Sequence, residues 1–248
     1  MKQVFRLLAM LAVAVVCLQV FFVARIAVMT LIGPQSTTFQ RSEAVRLLRE
    51  NGQILWTQQW VADDQISKHL KRAVIASEDA SFAEHGGVDW EALEKAWDKN
   101  QKAQERADKR AARLAQVAPN KPPPVAKIVG GSTITQQLAK NLFLSPERTF
   151  LRKGQEIALT YMLEALLSKR RILEIYLNNV EWGEGVFGAQ AASRHYFRAD
   201  AAKLGPNQAA RLAVMLPAPK RFEKRPGSAY VSGRAGTIEA RMGAVEIP

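Results

Sequence analysis

The chain predicts a mainly α-helical domain behind one N-terminal membrane-crossing helix. Three observations carry this: an apolar run long enough for a bilayer, apolar positions beyond it that recur at helical spacing, and cap residues where the runs break. A content of 48% apolar and 23% charged residues in 248 excludes a disordered or collagen-like chain and leaves room for one sizeable domain.

From Leu7 to Val23 the sequence reads LLAMLAVAVVCLQVFFV, with Gln19 its only polar member, and IAVMTLI resumes after Arg25 as far as Ile32. Residues 7–32 at about 1.5 Å each cover about 39 Å, more than the roughly 30 Å of bilayer hydrocarbon, so Arg25 can sit at an interface with its stem in the apolar layer. The run exceeds the core of a secretory signal and no small-x-small cleavage site follows it, which points to a retained anchor over residues 1–33. Lys2 and Arg6 precede it, so the N-terminus is expected in the cytoplasm and residues 34–248 outside. Cys17, the single cysteine, excludes an internal disulfide or thiolate zinc cage and reads as a lipid-facing apolar residue.

Thirty-five Lys and Arg against 23 Asp and Glu give +12, a balance that suits a polyanion, a phosphate-bearing substrate or an acidic membrane surface. The histidines, His69, His85 and His195, lie far apart with no metal-ligand spacing.

Residues 34–59 read as a juxtamembrane connector, with a short strand or hairpin over Gln53 to Trp60. Ile66, Leu70, Ala73 and Val74 then follow the Asp63-Asp64 cap signal, and Trp90, Leu93 and Trp97 follow Asp89. Further helices are expected at Thr133 to Leu144, Leu151 to Leu167, Lys169 to Asn179, Gly188 to Tyr196 and Asn207 to Leu216. Leu167 and Ile172 flank Ser168 as a hydrophobic staple flanks an N-cap. Residues 98–129 interrupt this pattern: Asp98 to Arg113 is charge, Ala and Gln, a solvated helix extension, and Ala118 to Val125 reads APNKPPPV, a Pro-rich loop. The domain is expected over 60–224, with a C-terminal tail at 225–248.

Three segments carry chemistry. In EDASFAEHGG, from Glu78, adjacent carboxylates at a helix end repel one another and oppose the helix dipole, which raises a proton affinity. Read alone, this is either a solvated acidic turn or a general base. In GGSTITQQLAKN, from Gly130, Thr133 and Gln136 have capping-box spacing. At 100° per residue Thr133, Gln136, Gln137 and Lys140 share a polar arc opposite Ile134, Leu138 and Leu142. A helix N-terminus, amides and a lysine facing one way suit an anion with sugar hydroxyls; a capped surface helix has the same spacing. In RKGQE, Arg152 and Glu156 are i,i+4 neighbours and form a helical ion pair on the plainest reading.

In order, EDASFAEHGG, GGSTITQQLAKN, RKGQE, KRRILEIYLN and ARLAVMLPAP resemble the peptidoglycan glycosyltransferase family, lysozyme-like enzymes that polymerise a lipid-linked disaccharide, over roughly Trp60 to Arg221. With one anchor and no Ser-x-x-Lys, the chain is similar to the monofunctional biosynthetic branch rather than to the class A penicillin-binding proteins. The resemblance implies polymerisation of lipid II into β-1,4-linked strands with inversion, and release of undecaprenyl pyrophosphate for cell-wall synthesis. It implies Glu78 as catalytic base and Glu156 as the second acidic residue, orienting Lys140, Arg152 and Lys153 or a bound metal. Ser132, Thr133, Gln136, Gln137 and Asn141 would shape the cleft, and Asp79, Phe82, His85 and Gly86 would hold the Glu78 turn. No cofactor is required by the residues; a divalent ion, Mg2+ or Mn2+, bridging pyrophosphate oxygens is compatible with the family, although no closed metal cage is visible. The expected partners are lipid II, the growing glycan strand, membrane lipid and cell-wall synthesis or division proteins, with no nucleic acid, at a bacterial inner membrane with the catalytic domain periplasmic. Leu142, Phe143 and Leu144 with Phe39, Trp56 and Trp60 are candidates for a lipid-dipping surface or for the core.

Two other readings compete. A lysozyme-like hydrolase or lytic transglycosylase also uses one Glu on a helical scaffold, and a tethered basic module could bind a polyanion through Lys99 to Arg113.

Overall fold

Helix α1, Lys2–Val28, opens the chain and is long and apolar enough to cross a membrane. The computed structural model describes residues 1–118, 121–126, 128, 130–145, 147 and 149–248; Pro119 and Asn120 of the Pro-rich loop, and Lys127 and Val129 beyond it, lie outside the described residues. Residues 34–59 hold more than a connector. Thr37 and Gln40 close a capping box on α2, Thr38–Asn51, which Gly52 ends in the left-handed conformation at φ +69°. Only Leu47 and Gln40 of α2 are buried, so its sequence carries too little apolar stripe to announce a helix.

Strand β1, Thr57–Gln58, pairs in parallel with β3, Val186–Phe187, and β2, Glu181–Gly183, pairs antiparallel on the other side of β3. Helix α3, Lys68–Glu78, is capped by Ser67 rather than by Asp63 or Asp64. Asp63 instead takes ion pairs from Lys71 at 2.5 Å and Arg170 at 2.7 Å. Helix α4, Trp90–Val117, is capped by Asp89 and includes the whole charged stretch from Asp98 to Arg113, mostly exposed as a solvated extension requires. Then come α5, Ile134–Phe143; α6, Phe150–Leu166; α7, Lys169–Asn179; α8, Ala189–Phe197; α9, Pro206–Met215; α10, Pro219–Phe222; and α11, Ala229–Arg241. Leu167 and Ile172, both buried, flank the Ser168 cap of α7.

The core forms around α3, whose Leu70, Ala73, Val74 and Ile75 are fully buried. Small residues on α9, Ala209, Ala210 and Ala213, let that helix pack closely on α3 and on α11. Residues 225–248 are therefore no loose tail, since Val231, Ala235 and Ile238 of α11 belong to this core. The α5 helix buries Ile134, Leu138 and Leu142 against α6 and α7.

The anchor is docked onto the domain rather than merely tethered to it. Phe22, Ile26 and Met29 enter the same core, Arg171 Nε donates to the Met29 carbonyl at 2.8 Å, and Arg25 lies 5.7 Å over the Phe143 ring. The apolar run beyond Arg25 thus serves partly as domain core. Gln19 exchanges two hydrogen bonds with Gln155 of α6, at 3.2 and 3.1 Å, which satisfies the one polar side chain in the Leu7–Val23 run.

Among the proposed lipid-dipping residues, Leu142 is buried in the core and Phe143 and Leu144 pack against it. Trp60 is partly buried beneath Gly33, and Trp56 packs at 5.1 Å on Phe187. Phe150 and Leu151, next to Arg152 on α6, are instead exposed.

Glu181 on β2 is buried, its Oε1 without a hydrogen-bond partner among the described residues and 3.8 Å from Lys220 Nζ. Burial pushes its carboxyl up to about 7, with Lys220 opposing and Glu43 adding to the rise. The folded chain therefore binds this proton more tightly than the unfolded one, so stability falls as pH rises from the ordinary carboxyl range through 7. Glu181→Gln should raise the thermal midpoint of the detergent-solubilised protein relative to wild type at pH 8 more than at pH 5; an equal difference at both would contradict this.

Candidate active site

Glu78 is the last residue of α3, and the helix stops because Asp79 turns out of it at φ −164°. Asp79 is held by two partners. Its Oδ2 accepts from the Ile134 backbone N–H at 2.9 Å, at the first turn of α5, and its Oδ1 lies 2.8 Å from His85 Nε2. His85 Nδ1 accepts from the Gly87 N–H at 3.1 Å, which leaves Nε2–H as the donor to Asp79. Thr133 Oγ1 donates to the Gly87 carbonyl at 2.6 Å. The end of α3 is thereby clasped to the start of α5, where a carboxylate also meets the helix dipole favourably.

Phe82 is fully buried, with Lys169 Nζ 4.6 Å over its ring. The glycine this turn requires is Gly87 rather than Gly86. Gly87 sits at φ +95°, and a Cβ there would lie 2.7 Å from Thr160 Cγ2 and from Glu164 Cγ, whereas nothing stands within 4 Å of a Cβ on Gly86.

Glu78 Oε2 accepts from Gln137 Nε2 at 3.0 Å, and Ser77 Oγ donates to Oε1 at 3.4 Å. Its carboxyl is pushed up chiefly by burial; the two hydrogen bonds oppose the rise, and the charge of Asp79 adds least. Repulsion between adjacent carboxylates, the cause the sequence suggested, is thus secondary, because Asp79 is itself occupied by a backbone N–H and His85.

Thr133 and Gln136 close the expected capping box: Thr133 Oγ1 accepts from the Gln136 N–H and Gln136 Oε1 from the Thr133 N–H, both at 3.1 Å. The box leaves Ser132, Gln136, Gln137, Lys140 and Asn141 on a cavity of about 300 Å³. Across it α6 brings Arg152, Lys153 and Glu156. Glu156 is 3% exposed and accepts from Arg152 at 3.0 Å and from Lys153 at 2.5 Å, so a buried carboxylate pins both cations at the cavity wall.

A second cavity, of about 570 Å³, lies on the Glu78 side, and Ser132 lines both. Gln137 joins them too, since it lines the first and bonds Glu78 in the second. Gly131 permits the close approach here: a Cβ on it would lie 3.1 Å from Ala96 Cβ. Thr133, whose hydroxyl is taken by Gly87 and the cap, faces the Glu78 cavity rather than the cationic one.

Phe39, a candidate for a lipid-dipping surface or the core, lines the cationic cavity, and sequence reasoning did not place Lys95, Lys99 and Arg241 on the Glu78 cavity. Arg241 arrives on α11, in what read as a tail. It also passed over Tyr176 in KRRILEIYLN, whose hydroxyl donates to Gln137 Oε1 at 2.9 Å; a phenol in an apolar stretch was the signal, because a buried hydroxyl needs a partner.

The residues present do not fit a protein-held Mg2+ or Mn2+ at the cationic cavity. Glu156 is the only carboxylate among its described lining residues, and both its oxygens face cations. Asp79, His85 and Asp89 place ligand atoms within 4.8 Å of one another, but these are spent internally: Asp89 caps α4 and accepts from Ser81 at 2.5 Å.

A carboxylate on one cavity and a pinned cationic wall on its neighbour, with Ser132 lining both, suit an enzyme that transfers a group from a phosphorylated donor. The comparisons with known proteins agree. A model of the family described as Transglycosylase matches residues 49–116 and 112–243. The biosynthetic peptidoglycan transglycosylase of Paraburkholderia xenovorans (strain LB400) is 48% identical over 248 residues, covering 100% of this chain and 94% of that relative. Proteins of the same name from Burkholderia orbicola (strain MC0-3) and Burkholderia multivorans (strain ATCC 17616 / 249) are 50% and 49% identical, over 93% and 97% of this chain and 85% and 89% of theirs. The chain belongs to the peptidoglycan transglycosylase family, with its lysozyme-like helical domain and glycosyltransferase activity in cell-wall synthesis.

Asp79→Ala should cost about 2–3 kcal/mol by orphaning the Ile134 N–H and His85 together. Hydrogen exchange should show lost protection at the amides of residues 134–137; unchanged protection there would refute the clasp.

Proposed function

We propose that Glu78 is the general base for transfer of a glycan strand from its undecaprenyl pyrophosphate carrier to the 4-hydroxyl of lipid II. The observation that carries this is a pair of adjoining cavities that share Ser132 and are bridged by the Gln137–Glu78 bond, with Glu78 on one and Lys140, Arg152 and Lys153 on the other. Glu78 takes the hydroxyl proton as the acceptor oxygen bonds to the donor's anomeric carbon. The bond from that carbon to the pyrophosphate oxygen breaks, and its electron pair leaves with the diphosphate. Attack opposite the leaving group inverts the centre, turning an α-linked donor into a β-1,4-linked product. Diphosphate is a stable anion, so the departing side needs cations rather than an acid, and Glu156 supplies their orientation. Burial holds the Glu78 carboxyl above its ordinary value, which makes it a better proton acceptor while requiring that it be ionised, so activity rises with pH through its titration.

The anchor places this chemistry at a bilayer. With Lys2 and Arg25 at the two interfaces, the N-terminus is cytoplasmic and the domain lies outside, as at a bacterial inner membrane. Phe150 and Leu151, exposed apolar residues next to Arg152 and Lys153, meet the outer leaflet at its surface, and the cationic cavity beside them takes a lipid-borne diphosphate at headgroup level.

Glu78→Gln should lower polymerisation of purified lipid II about 100- to 10,000-fold while leaving the thermal midpoint at or above wild type; retained turnover rejects Glu78 as base. Release of soluble fragments from intact cell-wall sacculi would instead support a lytic enzyme. A nitroxide on Leu151→Cys, in a Cys17→Ser background, should relax more strongly with oxygen than with a water-soluble nickel chelate in liposomes. The reverse would place the loop in water.

A further inference from the structure

Tyr176, Gln137 and Glu78 form a hydrogen-bonded line across three helices. Tyr176 of α7 is 1% exposed, and its hydroxyl meets Gln137 Oε1 at 2.9 Å; Gln137 of α5 presents Nε2 to Glu78 Oε2 at 3.0 Å. An amide has one accepting end and one donating end, so the end turned to Tyr176 decides which end faces Glu78. An ionised Glu78 can only accept, which demands the NH2. That orientation turns the carbonyl towards Tyr176, which must then donate. The opposite pattern, with a protonated Glu78 donating to the carbonyl and the NH2 donating to the phenol oxygen, also pairs these three groups, but it takes Nε2 away from the Ser132 carbonyl, to which it donates at 3.4 Å. The three groups therefore have two arrangements, one for each protonation state of Glu78.

We infer that Tyr176 is a positioning residue for the transfer reaction: its hydroxyl holds the Gln137 amide in the orientation that favours an ionised Glu78. This rests on the reading of Glu78 as base and adds the group that orients its partner. Burial drives the phenol well above its usual range, so it keeps its proton and remains a donor. Other charges also face Glu78 and set its baseline: Asp79, Glu84 and Asp89 near its own turn, Lys95 and Lys99 from α4, and Arg241 from α11. None of these contacts the Gln137 amide in the way Tyr176 does. Phenylalanine at 176 would keep the ring in the core while leaving the carbonyl of Gln137 without its donor, so that beyond Glu78 only the 3.4 Å contact from Nε2 to the Ser132 carbonyl would still orient the amide.

The test is the pH profile of kcat/KM for polymerisation of purified lipid II by the full chain. Tyr176→Phe should move the acid limb upward by about half to one pH unit, a roughly three- to tenfold loss on the acid side that converges with wild type at high pH. KM should change less than twofold and the thermal midpoint little. Gln137→Met removes the shared amide and should shift the limb at least as far; in that background Tyr176→Phe should shift it no further. An unmoved limb in Tyr176→Phe overturns the inference, as does a full additional shift on Gln137→Met. If Tyr176→Phe does not fold, Gln137→Met alone decides: an unmoved limb refutes the line. Activity retained by Glu78→Gln would instead bring down the base assignment itself, which separates the two failures.

Discussion

The site depends on one charged hydrogen bond, from the Ile134 N–H to Asp79 Oδ2 at 2.9 Å. It joins the C-terminal end of α3 to the N-terminal end of α5, two helix ends that carry opposite unsatisfied backbone groups. Because Asp79 is consumed there, its neighbour Glu78 is left to project into the groove. Because α5 starts there, Gln137 lies one turn along, within reach of Glu78. The Thr133–Gly87 bond and the His85 contact reinforce the same junction. A residue pair that reads as two acids is thus one acid spent on structure and one left to the groove, the proposed base, and the backbone partner decides which is which.

Opposite charges are arranged so that their roles do not cancel. Glu156 lies beneath Arg152 and Lys153 and orients them, while Glu78 is insulated by burial and by Gln137 rather than paired with a cation. A lysine or arginine in contact with Glu78 would lower its proton affinity and spoil it as a base. The Gln137 amide stands at that boundary, neutral, reaching both cavities. The anchor adds a mechanical condition, since Gln155, which it grips through Gln19, is the residue beside Glu156. The cationic wall is thereby tied to the apolar N-terminal helix.

Much of this was legible in the sequence because it is local. The Thr133 box, the Ser168 cap, the Arg152–Glu156 spacing and the apolar faces of α3, α5 and α7 all follow from residues within a turn or two of one another. The opaque features depend on distant partners. Helix α2 shows a weak stripe because much of it faces solvent, and α11 looked like a tail because the packing that stabilises it lies on α3 and α9. Asp63 imitates a cap but pairs with Lys71 and Arg170, the latter 107 residues away. Tyr176 signals only that its hydroxyl needs a partner; which partner, Gln137, lies 39 residues away and is set by the packing of α5 on α7. The segment after Arg25 read as lipid-facing, yet Ile26 and Met29 belong to the core, because lipid and protein interior select the same side chains.

The most direct measurement is a crystal structure of the full chain with a non-reactive lipid pyrophosphate saccharide. Both phosphates should sit within hydrogen-bond distance, about 2.7–3.1 Å, of Lys140, Arg152 or Lys153, with the anomeric carbon on the Ser132 side facing Glu78. Phosphates bound away from that wall, or a sugar placed so that the Glu78 carboxylate faces neither reacting oxygen nor anomeric carbon, would contradict the division of labour between the base and the cations.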